Sequence, residues 1–251
     1  MQPICEVAKK AGASIMGIYA QNIQVEHKAD QSPLTEADKA ANAVIVEFLQ
    51  SHYPDIPIIS EESKQTPYEE RRHWDRCWLV DPLDGTKEFI KRNGEFTVNI
   101  ALIEDGRPIA GVVYIPAQRV TYFTADDGAY REDPDGSLTP LHTQQAEKNG
   151  TLTVMGSRSH SNPAVEAYVD ELRDAYAAVE FVAAGSSLKF CRIAEGKAHL
   201  YPRLGPTMEW DTGAGQAVVE KAGGRVCIHG TDEPLTYNKP DLLNPHFVVH
   251  A

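Results

Sequence analysis

An apolar run, Trp78-Leu79-Val80, breaks into Asp81-Pro82-Leu83-Asp84-Gly85-Thr86. Two carboxylates at the exit of a buried strand are costly unless something positive sits between them. No lysine or arginine lies inside the turn, so the partner must come from elsewhere. A hard divalent cation is one answer, since Mg²⁺ takes carboxylate and carbonyl oxygens while keeping several waters and substrate phosphates. A plain Asp-Pro-x-Asp-Gly surface turn explains Pro82 and Gly85 equally well. The segment alone leaves both open.

A chain of 251 residues can bury a full core, as one large domain or two intimately packed halves. Its composition is that of an ordinary globular protein, 42% hydrophobic and 24% charged. A formal net charge of −12 argues against binding polymeric nucleic acid through a broad basic face. A small phosphorylated molecule remains compatible, because bound cations and a few local positive groups can attract it. Cys5, Cys77, Cys191 and Cys227 are dispersed and form no C-x-x-C pair. They read as reduced thiols in a cytoplasmic protein, not as zinc ligands or disulfides. Lys9 and Lys10 precede a short apolar stretch reminiscent of a signal peptide. However, Ile4, Val7, Ala8, Ala11, Ile15 and Ile18 keep helical spacing, which predicts a packed first helix. No stretch reaches the length of a membrane span.

Ala37, Ala40, Ala41, Val44, Ile45, Phe48 and Leu49 predict a second amphipathic helix, with Thr35 as N-cap and a stop near Pro54. Ile56 to Ile59 and Arg76 to Val80 read as buried strands, and 97–103, 109–115 and 120–124 as an antiparallel meander. The polar stretch from Asp133 to Gly150 reads as a loop and boundary. Beyond it, strands at 152–155, 179–182 and 198–201 alternate with helices at 163–176, 187–194 and 212–221, before a closing strand pair at 225–228 and 247–249. The expectation is a layered α/β protein. Residues 1–140 would form an α+β subdomain and 141–251 an α/β subdomain, together one compact unit.

Other acids have bland readings when taken singly. Glu61-Glu62 follow a strand and could be a solvated loop. Asp38 could serve a capping box. Asp211, in Trp210-Asp211-Thr212-Gly213-Ala214-Gly215, could be a helix N-cap. Together they form an ordered set. The intervals are 23 residues from Asp38 to Glu61, 20 from Glu61 to Asp81, and 130 from Asp81 to Asp211. This set resembles the lithium-sensitive, magnesium-dependent phosphomonoesterases of the inositol monophosphatase superfamily, across essentially the whole chain.

Four further stretches are similar to its CysQ-type branch, the bacterial 3′(2′),5′-bisphosphate nucleotidases. They are Gly85 to Ile100, Ser157-Arg158-Ser159-His160, Gly185-Ser186-Ser187-Leu188-Lys189-Phe190-Cys191, and Tyr201-Pro202-Arg203-Leu204-Gly205-Pro206-Thr207. The branch has a second alanine in many members where this chain has Gly213-Ala214-Gly215.

The resemblance implies the layered α-β-α-β-α sandwich of the sugar phosphatases and hydrolysis of adenosine 3′,5′-bisphosphate to AMP and phosphate. It implies two or three Mg²⁺ held by Glu61, Asp81, the Leu83 carbonyl, Asp84 and Asp211, with Glu62 supporting that shell. It implies a Thr86 hydroxyl, held by Asp38, that orients and helps deprotonate the attacking water. Leu83, Asp84, Gly85, Thr86 and Asp211 would also meet the substrate. Gly185, Ser186, Ser187 and Lys189, where a glycine turn opens a helix, would form an anion site for its second phosphate, joined by Arg203, and His160 would stack on adenine. The expected partner is therefore a small nucleotide bisphosphate. The protein would be a monomer or homodimer, cytoplasmic, with any attachment to the inner membrane peripheral. Two alternatives stay open: a phosphatase for inositol monophosphate or another sugar phosphate, and a non-catalytic metal- or nucleotide-binding protein.

Overall fold

Strand β2 shows how the layers arise. Its alternate residues Cys77 and Leu79 join one hydrophobic cluster, while Trp78 and Val80 join another. Side chains of a strand point alternately to opposite faces, so a sheet buried on both sides must carry apolar residues on both. The computed structural model describes residues 1–21, 33–157 and 163–251.

The chain begins with α1 (Gln2–Tyr19) and α2 (Pro33–His52), followed by β1 (Ile58–Ser60), the short α3 (Tyr68–Arg71), β2 (Arg76–Asp84) and α4 (Thr86–Ile90). Strands β3 (Thr97–Glu104), β4 (Arg107–Ile115), β5 (Val120–Ala125), β6 (Gly128–Glu132) and β7 (Leu138–Pro140) complete a seven-stranded sheet in sequential order. Among the described residues, only β1 and β2 pair in parallel in it. Then come β8 (Thr151–Ser157), α5 (Pro163–Asp170), β9 (Ala178–Ala184), α6 (Leu188–Ala194), β10 (Leu200–Arg203), α7 (Glu209–Lys221), β11 (Arg225–Ile228) and β12 (Phe247–His250). These strands make a five-stranded sheet ordered β11-β12-β10-β8-β9.

Three clusters define five layers. Ile4, Ile15, Ile45 and Leu49 of α1 and α2 pack with Val80, Val98, Ile100 and Val112 on the outer face of the first sheet. Leu79, Ala101, Ile103 and Val113 on its inner face pack with Phe190 of α6 and Val218 of α7, which in turn meet Tyr201, Phe247 and Val249 of the second sheet. Leu152, Val154, Leu200 and Val248 on that sheet's far face meet Val169 of α5. The order is helix, sheet, helix, sheet, helix, as expected.

The seating of α7 against β4 depends on Gly111. A Cβ there would lie 2.6 Å from the Ala214 carbonyl oxygen and 2.9 Å from its Cα. Only glycine lets helix and strand approach so closely. Because α7 carries Asp211 in its first turn, this contact also fixes that carboxylate relative to the first sheet.

The structure corrects four sequence-based expectations. Helix α2 starts at Pro33, so Thr35 lies in its first turn and is not its N-cap; proline is well suited to a first helical position. Strand β2 does not stop at Val80 but runs to Asp84, its pairing with β3 shifting between Asp81 and Asp84. The aspartates therefore sit in an irregular strand end. The stretch 163–176 is a helix only to Asp170, followed by a 3₁₀ turn at Arg173–Ala175. The stretch 133–150 contains β7, and β6 precedes it.

Candidate active site

Asp81 is 1% exposed, its Oδ1 accepting the Leu83 backbone N–H at 3.0 Å. Its carboxyl is raised well above the ordinary range, first by burial, then by the charges of Asp84, Glu61, Asp211 and Asp38. All four neighbours are acids, and no cation figures among them. Asp211 is pushed up to about 7, first by burial and then by Asp84. Asp38, on α2, is pushed up to about 8 by burial and then by Glu62 and Glu61. Glu61 is exposed as a residue, yet its carboxyl is also raised, by desolvation foremost; a hydrogen-bonding approach to Asp81 pulls the other way. The structure thus brings all the expected acids into mutual electrostatic contact.

Hydroxyl and amide groups knit Asp84 into this cluster. Its Oδ2 lies 2.9 Å from the Ser187 hydroxyl, 3.3 Å from the Asn99 amide and 3.4 Å from the Thr97 hydroxyl, all able to donate. Ser187 also reaches the Asp211 carbonyl at 3.0 Å and accepts from the Asn99 amide at 3.0 Å. Ser187 thereby couples the end of β2 to the start of α7. Asp211 keeps the bland role as well, since its Oδ2 accepts the Met208 backbone N–H at 2.9 Å, closing the first turn of α7.

Gly85 has φ 98° and precedes Thr86, the first residue of α4. This left-handed backbone suits glycine and turns the chain from strand to helix. Thr86 is exposed, on the rim of a cleft of about 320 Å³ that Asp84, Gly85, Gly185, Ser186, Lys189, Arg203 and Asp211 also line. Among the described residues, Asp38 Oδ1 is buried without a hydrogen-bond partner, and no hydrogen bond joins it to Thr86.

Lining the same cleft, Ser186 adopts φ 43°, and Gly185 donates its N–H to Glu95 Oε2 at 2.9 Å. The Lys189 ammonium, buried, donates to the carbonyls of Ser186 (2.6 Å) and Ala184 (3.3 Å). Burial pulls its pKa down to about 8. Ser186 Oγ and Arg203 Nε are buried without partners among the described residues, and both residues line the cleft. A second cavity of about 680 Å³ shares Tyr201 and Arg203 with the first and offers Phe181, Val182, Leu204 and Pro206. His160 lies outside the described residues.

The donor set suits a hard cation: several carboxylates, one wholly buried among like charges, and an orphaned oxygen on Asp38. Among the described residues no three acidic, histidine or cysteine side chains form a ready-made metal cage. The fit therefore rests on charge and donor chemistry.

Sequence reasoning missed Ser187, Asn99 and Thr97 as supports of Asp84. A polar residue at two alternate positions of an otherwise apolar strand β3 was the available signal.

A five-layered α/β fold whose cleft brings the carboxylates of Asp84 and Asp211 together with Ser186, Lys189 and Arg203 defines the class. The chain belongs to the Inositol monophosphatase family, whose sequence profile matches residues 1–250, and that family consists of metal-dependent phosphatases. It is 47% identical over 252 residues to the 3′(2′),5′-bisphosphate nucleotidase CysQ of Escherichia coli O157:H7, covering 99% of this chain and 98% of that protein. The structure superposes on that of CysQ from Bacteroides thetaiotaomicron with a TM-score of 0.91 and 44% identity, over 100% of this chain and 96% of the other. Inositol monophosphatase from Anabaena gives a TM-score of 0.73 at 25% identity, over 100% and 89% of the two chains. Among the described residues no helix is long and apolar enough to cross a membrane.

Proposed function

We infer that this protein is a 3′(2′),5′-bisphosphate nucleotidase, a phosphomonoesterase that hydrolyses adenosine 3′,5′-bisphosphate to AMP and phosphate. The observation that carries the reading is one cleft with two unlike walls: the half-buried acids Asp84 and Asp211, whose charges act on the buried Asp81, and the polar and cationic Ser186, Lys189 and Arg203. A substrate bearing two phosphates matches both. The carboxylate wall would take the phosphate to be cleaved and the cationic wall the one retained.

Glu61, Asp81, Asp84, Asp211 and the Leu83 carbonyl are the proposed holders of Mg²⁺, two or three ions, with Glu62 supporting them. When bound, Mg²⁺ supplies charge neutralisation of the phosphoryl oxygens and a water of lowered pKa. The chain's own residues do the rest. Asp84 is held by Ser187, Asn99 and Thr97, so its carboxylate is pre-oriented and need not be ordered at each turnover. The lone pairs of Asp38 Oδ1 are unused and are the proposed acceptor for the Thr86 hydroxyl. That hydroxyl would in turn take a hydrogen bond from the attacking water and draw its proton away from the reaction centre. The backbone amides of Gly85 and Thr86, at the turn into α4, would donate to phosphoryl oxygens.

On the other wall, Ser186 Oγ and Arg203 Nε lack partners and supply donors for the second phosphate, with the Lys189 ammonium adding charge. The adjoining apolar cavity gives a nucleoside room beside Phe181 and Pro206. His160 is the proposed stacking partner for the base. In this reading residues 1–140 contribute most metal ligands, while residues 141–251 contribute Asp211 and the anion-binding turn, and the two act as one unit.

A substrate panel tests the reading. Phosphate release is followed from adenosine 3′,5′-bisphosphate, adenosine 3′-monophosphate and inositol monophosphate, with Mg²⁺ and again with added Li⁺. The bisphosphate should give the highest kcat/KM, and Li⁺ should inhibit. Preference for inositol monophosphate would move the protein to the sugar-phosphatase alternative. No turnover of any of them would leave a binding protein.

A further inference from the structure

Two of the proposed ligands come from distant parts of the chain, Glu61 on the loop after β1 and Asp211 in the first turn of α7. Between them runs a buried polar relay that the chemistry above does not use. Glu209, 0% exposed, accepts three hydrogen bonds from one short segment. They come from the Asn238 N–H at 2.6 Å, the Lys239 N–H at 3.0 Å and the Lys239 ammonium at 2.5 Å. Asn238 holds φ 59° and exchanges two hydrogen bonds with Arg71. Arg71 Nη1 donates to Asn238 Oδ1 at 2.6 Å, and Asn238 Nδ2 donates to the Arg71 carbonyl at 2.8 Å. Arg71 is itself only 3% exposed. Its Nη2 donates to the Lys239 carbonyl at 3.1 Å, and its Nε to the Thr66 carbonyl at 2.8 Å. Thr66 closes the loop that Glu61 opens.

The same segment returns to α7. The Glu209 N–H donates to the Leu242 carbonyl at 2.9 Å, and the Asn244 side-chain amide to the Met208 carbonyl at 2.8 Å. Segment 237–244 therefore grips the Glu61 loop with one end of its polar network and the start of α7 with the other. A buried carboxylate and guanidinium are poor choices for stability alone, because well-packed apolar residues of similar volume often do as well or better. What they add is direction: fixed forks and hydrogen bonds set a distance that apolar packing leaves looser.

We propose that Glu209, Lys239, Asn238 and Arg71 are positioning residues that set the separation of the Glu61 loop from Asp211 and thereby the cation affinity of the site. This rests on Glu61 and Asp211 being metal ligands.

The test is calorimetric titration of the metal-free, full-length protein with Mg²⁺, beside the Mg²⁺ dependence of phosphate release. The variants are Glu209→Gln, Arg71→Lys and Asn238→Gly, with Lys9→Ala as a control that cuts the remote ion pair to Glu132. The three relay variants should weaken Mg²⁺ binding about ten- to a hundredfold, the range for groups that orient ligands. At saturating Mg²⁺, their kcat and KM should stay within about threefold of the parent. The Glu209→Gln/Arg71→Lys double variant should be no worse than the more affected single one, since both cut one relay. Lys9→Ala should leave Mg²⁺ affinity unchanged whatever it does to the melting temperature. Relay variants that melt earlier yet bind Mg²⁺ like the parent would overturn the proposal, as would a loss of kcat that saturating Mg²⁺ cannot restore. If Glu209→Gln does not fold, Asn238→Gly decides, because glycine keeps the left-handed backbone and removes only the side-chain bridge. A parent that binds no Mg²⁺ would sink the ligand assignment and the relay with it; a parent that binds and variants that match it would sink the relay alone.

Discussion

Replacing Lys189 with methionine separates what the buried ammonium does for the fold from what it does for the substrate. Burial pulls its pKa from 10.5 to about 8, so holding it protonated near neutral pH costs roughly 3 kcal/mol at 1.36 kcal/mol per unit. Methionine removes that cost and keeps an unbranched apolar stem near the Tyr201 ring, whose centroid lies 5.3 Å from the ammonium. It also strips the Ser186 and Ala184 carbonyls of their donor, at about 1–1.5 kcal/mol each. The two effects nearly cancel, so stability without substrate should change by no more than about 1 kcal/mol.

Binding has no such offset. One charge-assisted hydrogen bond to the second phosphate is worth about 2 kcal/mol, or about thirtyfold in KM for the bisphosphate. KM for adenosine 3′-monophosphate should rise by less than about threefold, because it lacks that phosphate. The pH dependence follows with a definite sign. Protonated Lys189 is the anion-binding form, fully present below about pH 8 and lost above it. The parent's preference for the bisphosphate should therefore fall as pH rises through 8, and Lys189→Met should show no such fall. The assay is phosphate release at saturating Mg²⁺ from both substrates, with melting curves in parallel. Equal KM increases for the two substrates, or a variant that no longer folds, would refute the reasoning.

Two other outcomes are expected. Asp84→Asn should cut phosphate release at saturating Mg²⁺ by at least about a thousandfold, roughly 4 kcal/mol of transition-state stabilisation; near-normal turnover would contradict the role given to that carboxylate. Gly111→Ala would place a Cβ 2.6 Å from the Ala214 carbonyl oxygen and should destabilise by about 2–3 kcal/mol. In a chain of this size that lowers the melting temperature by about 4–12 °C, and a shift below about 1 °C would contradict the close seating of α7.

How far the sequence revealed these features depends on the range of the interaction responsible. The layers were legible because burial on both faces of a strand leaves a continuous apolar run, as in Cys77-Trp78-Leu79-Val80, whose alternate residues enter two different clusters. The acids of the site were legible because the ordered set from Asp38 to Asp211 is long and specific, although each member alone looked like a cap or a turn. Asp211 shows why: it does cap α7 through the Met208 N–H while also facing Asp84. The continuation of β2 through Pro82 was not legible, since the local turn signals are real and only pairing with β3 overrides them. Ser187 was missed as a junction for the same kind of reason. Its partners Asp84, Asn99 and Asp211 are 103, 88 and 24 residues away, and no local pattern announces such a meeting. The buried relay through Glu209 and Arg71 also depends on contacts 167 residues apart.

Mg²⁺ binding with its accompanying proton release tests the account most directly. The Asp38 and Asp211 carboxyls have folded pKa values raised to about 8 and about 7. Protonation therefore stabilises the metal-free fold at low pH, and that stabilisation is lost as pH rises through 7 to 8. A cation that binds the ionised cluster must displace the Asp38 and Asp211 protons near neutrality, and fewer of them as the pH rises past 8. Calorimetric titration in buffers of different ionisation enthalpy should show Mg²⁺ binding with proton release at pH 7 that fades toward pH 9. No Mg²⁺ binding at millimolar concentration, or binding at pH 7 with no proton released, would contradict the convergence of these carboxylates on a shared cation.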